Sequence, residues 1–309
     1  MPPANLDEGS RHSPAMTIDA LDEKIRARAR VHATPIDKWR VRVAHTAADL
    51  LSAFSLVQRA YAERGIAIDA ARMRITPQHL LRESVVLVAH DGGRAIGTIT
   101  VTRDSPAGLP LDHDFPECLA DLRRRGAKIC EFGSFAVDRD ARGSGPAILL
   151  NMVAHYLARN AVRASHCVIG VHPSVEGFYR ANYDFRRIAE PKAHAELDAP
   201  VLGMMHEVMA VGEFLREHFP TPMATGKLFW EHCCSALPPC VDVPAAVLAG
   251  DFSLPRAVFR EVFVHRSRML QSLDEVTRRH LDSQRGPDTV RPPSDDSAAI
   301  VLGDAAHAG

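Results

Sequence analysis

The sequence predicts an α/β domain, a mixed sheet flanked by helices over residues 38–212, followed by a helical appendage over residues 213–283. Three observations predict it. Between residues 39 and 211, segments of apolar period two alternate with segments of helical period. Asp91-Gly92-Gly93 joins two apolar runs as a hairpin turn does. Beyond residue 212 the strand pattern stops, and helical periodicity continues between prolines.

In chain order, residues 1–16 lack periodicity and read as a disordered leader, with a short charged helix over residues 17–33 completing a leader region of residues 1–37. WRVRVAH (39–45) alternates and reads as a strand. Thr46 then caps a helix carrying Leu50, Phe54, Val57 and Tyr61 at helical spacing, ended by Gly65. Residues 66–83 read as irregular or weakly helical. SVVLVAH (84–90) and RAIGTITVT (94–102) are the hairpin strands. A Pro- and Gly-bearing loop leads into a short helix stopped by Gly126. A strand follows from about Lys128 to Val137, then a glycine turn, a helix from Pro146 to about Asn160, and a strand over 165–172. Pro173 starts a short helix through Tyr179, and residues 201–211 form a further strand. In the appendage, Ser253 and Pro255 are expected to start one long helix that ends before Gly286. Residues 284–309 have the composition of a disordered tail.

The bulk composition excludes several classes. Of 309 residues, 46% are hydrophobic and 24% charged, and the formal net charge is -1. Such a balance supplies no global field for nucleic acid or an anionic membrane. No apolar run approaches the roughly 18 residues that span a bilayer. The six cysteines form no regular framework, and no apolar leader follows a basic one, so a reduced, cytoplasmic protein is expected. His232-Cys233-Cys234 with Cys240 raises the question of zinc. Adjacent cysteines do not readily share one tetrahedron, so buried thiols beside a helix end are expected, and no metal.

The chemistry concentrates in CEFGSFAVDRDARGSGPAILL (130–150). Arg142-Gly143-Ser144-Gly145-Pro146-Ala147 separates a strand from a helix with small residues. The glycines permit unusual φ and close backbone approach, and Pro146 suits a first helical turn. Leu149, Met152, Val153, Tyr156 and Leu157 give that helix one apolar face. Its unpaired first-turn N–H groups would cradle an anion such as a phosphate. A plain tight connection would also account for the glycines.

The Arg-x-x-Gly-x-Ala pattern after a strand resembles motif A of the GNAT acyltransferase superfamily. His172-Pro173, Phe178-Tyr179 and Tyr183-Asp184-Phe185 are similar to that superfamily's Asn-Pro…Phe-Tyr…Gly-Phe segment, with His172 in place of Asn and Asp184 in place of Gly. The strand Glu131 to Val137 resembles the Glu-x-Ser-Arg-Phe-x-Val strand of acyl-homoserine-lactone synthases, with Ser134 in place of the Arg. It also resembles the equivalent strand of the long-chain N-acyl amino acid synthases, as does the loop from Leu109-Pro110 to Phe115-Pro116. The resemblance covers about residues 40–210. It implies a mostly antiparallel mixed sheet and an acyl group delivered as a thioester of acyl carrier protein or CoA, with no tightly bound cofactor. Phe135, Ala136, Val137 and the stretch Arg142, Gly143, Ser144, Gly145, Pro146 and Ala147 would hold the pantetheine arm and its pyrophosphate. Tyr179 would protonate the departing thiolate, unless it is a core aromatic.

Glu131 is the candidate base for the acceptor amine. A free Glu titrates near about 4.3, and the flanking Phe132 and Phe135 would raise it by desolvation. A structural salt bridge at the strand's end is the other reading of Glu131. An acyl carrier protein, being acidic, would dock on basic residues, with Arg123-Arg124-Arg125, Arg186-Arg187 and Arg278-Arg279 as candidates. Three functions remain open: long-chain N-acyl transfer to a small amine such as an amino acid, acetyl-CoA-dependent N-acetylation, and a GNAT-shaped binding module without turnover.

Overall fold

The computed structural model describes residues 17–66 and 73–286. The sequence-predicted leader over residues 1–16 and nearly all of the tail lie outside them. Nine strands form the sheet among the described residues, in the order β6-β8-β5-β4-β3-β2-β1-β9, with β7 beside β8. They are β1 (Arg40–Val43), β2 (Ser84–Asp91), β3 (Arg94–Arg103), β4 (Ile129–Val137), β5 (His166–Val171), β6 (Arg186–Arg187), β7 (Lys192–Ala193), β8 (Pro200–Glu207) and β9 (Val241–Asp242). Pairing is antiparallel except for β4 with β5 and β1 with β9. This is the mixed, mostly antiparallel sheet of the GNAT fold. The two-residue strands β6, β7 and β9 were not expected, because two residues carry no readable period.

The helices that precede residue 212 are α1 (Ile18–Ala29), α2 (Ala47–Ala62), α3 (Pro116–Arg124), α4 (Pro146–Leu157) and α5 (Glu176–Tyr183). Their starts follow local chemistry. The Asp49 N–H donates to the Thr46 hydroxyl at 3.1 Å, and that hydroxyl donates to the Asp49 carboxylate at 2.9 Å, closing the first turn of α2. Pro146 occupies the first turn of α4, as expected of a residue without an N–H. The α1 helix lies on α5, where Gly177 leaves room for Ile25 and Asp22 forms a forked ion pair with Arg180 at 2.8–3.2 Å.

Strand β2 is buried on both faces, and its pleat sends alternate residues to two cores. Val85, Leu87 and Ala89 join the layer containing α4, whereas Val86 and Val88 join the layer containing α2. The chain after residue 212 wraps both layers. Leu215, Phe229 and Cys233, from α6 (Val211–His218) and α7 (Phe229–Cys234), enter the first core. Phe259, Val262, Phe263 and Leu281 enter the second. Fully burying such a side chain contributes about 1.5–3 kcal/mol, so this region is held by core contacts as well as by β9.

The expected single long helix does not form. After α8 (Ala245–Leu248), the short α9 (Arg256–Phe259) runs into wider π-helical turns over Arg260–His265, and the chain then breaks. Asp274 caps a new helix, α10 (Glu275–Arg285), by accepting from the Thr277 N–H at 2.9 Å. Ser253 is not a cap; Pro255 occupies that position. On α7, His232 is committed to Thr225 and the Ala236 carbonyl, and burial raises the Cys233 and Cys234 thiols. No group of three His, Cys, Asp or Glu among the described residues could hold a metal ion, and no described helix is long and apolar enough to cross a membrane.

Candidate active site

The site begins where two strands part. Strands β4 and β5 pair only from Ile129–His166 to Glu131–Val168, although both continue beyond. On its other edge β4 is bulged: Thr98 and Thr100 of β3 face Ala136 and Gly133, so three steps on β4 match two on β3. Ser134 takes up the extra residue with φ 47°, the left-handed region. Parting and bulge together open a cleft of about 460 Å³ beside β4.

Glu131 lies in this cleft, 4% exposed. One carboxylate oxygen accepts the Leu111 N–H at 2.9 Å. The other lies over Gly133, 3.7 Å from where a Cβ would be. Glu131 has no ion-pair partner among the described residues, so the salt-bridge reading finds no support. Burial pushes its pKa up to about 8, opposed by the Leu111 hydrogen bond and reinforced by the charges of Asp112 and Asp114. The Leu111 donor is itself braced. Arg123 forks onto Asp104 and Asp112 at 2.7–2.8 Å, and Asp112 accepts the Leu109 N–H at 2.7 Å, fixing the 110–113 turn.

Arg123 is therefore internal bracing and not a free docking charge. The other arginine candidates also meet groups of this chain: Arg124 and Arg125 pair with Asp121, Arg186 with Asp184, Arg187 with Glu176 and Glu190, and Arg279 with Glu275. Arg278 donates to the Leu270 carbonyl.

Tyr179, on α5, lines the cleft at 5% exposure, and its hydroxyl has no hydrogen-bond partner among the described residues. Burial raises its pKa, so it carries its proton at neutrality. The two departures around it preserve the local geometry. The His172 ring nitrogen accepts the Ser174 N–H at 3.2 Å, doing the capping that an Asn would do. Asp184 ends α5 with φ 54°, the left-handed conformation that a Gly would take there.

At the other end of the cleft, Phe135, Ala136, Val137, Arg142, Gly143 and Ala147 reach the lining, whereas Ser144, Gly145 and Pro146 do not. Gly145 has φ 120°, and a Cβ there would fall 2.5 Å from Thr34 and 3.1 Å from the Trp39 ring. Ser144 donates to the Ala141 carbonyl at 2.7 Å. The Arg142 guanidinium donates to the Val137 carbonyl at 3.1 Å and pairs with Glu63, tying the turn to β4 and α2.

Sequence reading missed His79. It sits in the turn Pro77–Leu80, and its Nδ1 accepts the Thr76 N–H at 2.9 Å. That bond makes Nε2 the protonated nitrogen, facing Thr100 at 3.2 Å and Ser134 at 3.4 Å. Burial lowers its pKa to about 4, so it is a neutral donor near neutrality. Thr76-Pro77, a cap residue before a first-turn proline, was the available signal for the turn. Arg74, Asp114 and His194 complete the cleft beside Glu131, and nothing in their local sequence marks them.

A family model described as N-acyl amino acid synthase FeeM matches residues 52–207. Among solved structures, that of FeeM, an N-acyl amino acid synthase from uncultured soil microbes, is similar at 22% identity and TM-score 0.52, covering 57% of this chain and 93% of that one. The acyl-homoserine-lactone synthase LasI matches at 17% identity and TM-score 0.45, covering 62% and 96%. The CoA-dependent acyl-homoserine-lactone synthase BjaI matches at 12% identity and TM-score 0.47, covering 68% and 97%. No curated protein matches.

Proposed function

The chain belongs to the N-acyl amino acid synthase FeeM family of acyltransferases, and from that premise we propose that it moves a long-chain acyl group from a pantetheine thioester to the amine of a small acceptor such as an amino acid. The observation that carries the reading is Glu131: a buried carboxylate with pKa about 8, aimed over Gly133 where β4 and β5 part. A carboxylate so tuned is a competent base near neutrality.

The donor thioester would lie along β4 beyond Glu131, with its phosphates toward the turn of Arg142, Gly143 and Ala147. Attack of the amine nitrogen forms the C–N bond while Glu131 takes the amine proton. Backbone N–H groups freed by the parted strands would face the carbonyl oxygen as charge builds on it. The C–S bond then breaks, and Tyr179 gives its proton to the thiolate. Acyl carrier protein and CoA present the same pantetheine arm, so either suits this cleft.

The test supplies long-chain acyl-acyl carrier protein, the matching acyl-CoA, or acetyl-CoA, together with the pool of L-amino acids, and reads product mass. The expected product is a long-chain N-acyl amino acid, formed faster than any acetylated amine. Faster acetylation would overturn the reading in favour of an ordinary N-acetyltransferase.

A further inference from the structure

The cleft's charged end bears on which amines it accepts, and this inference rests on the acyltransferase reading above. Arg74 lines the cleft with a side chain 19% exposed. Among the described residues its guanidinium makes one hydrogen bond, from Nη1 to the Glu196 carboxylate at 3.1 Å. The rest of its planar fork, the arrangement that suits bidentate binding of a carboxylate, is unused.

Glu196 belongs to the connection between β7 and β8, which is strapped across this end of the cleft. Asp114 accepts the Ala195 N–H at 2.8 Å and lies 3.6 Å from His194 Nε2, while His194 Nδ1 accepts the Glu196 N–H at 3.0 Å. The Glu196 side chain itself is 49% exposed, so a rotamer change releases it without dismantling the strap. Glu131 and Asp114 line the same cleft, and the Arg74 charge disfavours protonation of both His79 and His194. A ligand bringing an amine to Glu131 and a carboxylate to Arg74 meets a complementary group at each.

We propose that Arg74 reads the carboxylate of the acceptor and that Glu196 is an internal carboxylate competing for the same guanidinium. Among the acceptors of the proposed reaction, this favours the free acid over its amide or a simple amine. Glu196 sets how much acceptor is needed to displace it.

The test compares L-amino acids with their carboxamides, using the long-chain acyl donor that supports turnover. The unmutated protein is expected to favour the acid in kcat/KM. Arg74→Gln is expected to cut that preference roughly 10- to 100-fold, the range for a lost charge-assisted hydrogen bond, chiefly through KM. Glu196→Gln is expected to lower KM for the acid severalfold without a matching change for the amide. A purely structural Arg74 would affect acid and amide alike, so an unchanged ratio overturns the inference, as does a raised acid KM in Glu196→Gln. Should no donor support turnover at all, the acyltransferase reading falls. Arg74 is then judged by thermal-shift titration with the acids and carboxamides alone, where equal stabilisation by both overturns it.

Discussion

The two ends of the cleft are built in opposite ways. The glycine-turn end comes from consecutive residues, Arg142 to Ala147, and packing sets its shape, with Gly145 pressed against Thr34 and Trp39. The charged end gathers Arg74, His79, Asp114, Glu131 and His194 from segments far apart in the chain. Titration sets its character: burial moves Glu131 up to about 8 and His79 down to about 4. Opposite shifts within one cleft leave an acceptor of protons and a neutral donor. One end is a local backbone shape fixed by packing; the other is a set of protonation states that only the folded sheet creates.

The largest expected effect breaks the charged end. Glu131→Gln keeps an acceptor for the Leu111 N–H but cannot take a proton, so kcat/KM is expected to fall roughly 100- to 10,000-fold. In the unmutated enzyme log kcat/KM should rise with pH and level off above about 8, as Glu131 ionises, and that limb should vanish in the variant. Stability runs the other way. The folded carboxyl keeps its proton up to about 8, while the unfolded one releases it near 4.5. Between those values the folded state binds more protons, so this contribution is full below about 4.5 and is lost as pH rises to about 8. Glu131→Gln should therefore be the more stable protein at pH 9, by on the order of a few kcal/mol. Urea unfolding across the pH range checks the sign, and a variant less stable at pH 9 than the native chain would contradict the burial argument.

The same contrast explains how much the sequence made legible. Turn chemistry and period are local, so β1 to β5, β8, the Asp91-Gly92-Gly93 hairpin and the glycine turn could be read directly. Glu131 was legible because its strand matches a family pattern. His79 was not: its neighbourhood has no strong period, and its meaning comes from Thr100 and Ser134, brought near by register. Arg74, Asp114 and His194 depend likewise on tertiary packing. The ties of Arg123 to Asp104 and Asp112, and of Arg187 to Glu176, were not legible for a related reason, since those carboxylates lie 11 to 19 residues away on other segments. The long helix after Ser253 failed because periodicity does not register the break before Asp274.

The remaining variants sharpen the comparison at the glycine end, where packing and φ can be separated. Gly145→Ala adds a Cβ 2.5 Å from Thr34 at φ 120°, a conformation closed to L residues, so steric overlap adds to backbone strain. The expected cost is about 2–4 kcal/mol, with Trp39 fluorescence as a local reporter of the displaced ring. Gly143→Ala meets nothing within 4 Å, and its φ of 74° is its sole penalty. Its expected cost is correspondingly smaller, about 1 kcal/mol. Urea unfolding of both variants distinguishes the two sources of rigidity. If Gly143→Ala cost as much as Gly145→Ala, the turn would owe its shape to φ at both positions, and the contact with Thr34 and Trp39 would contribute nothing beyond it.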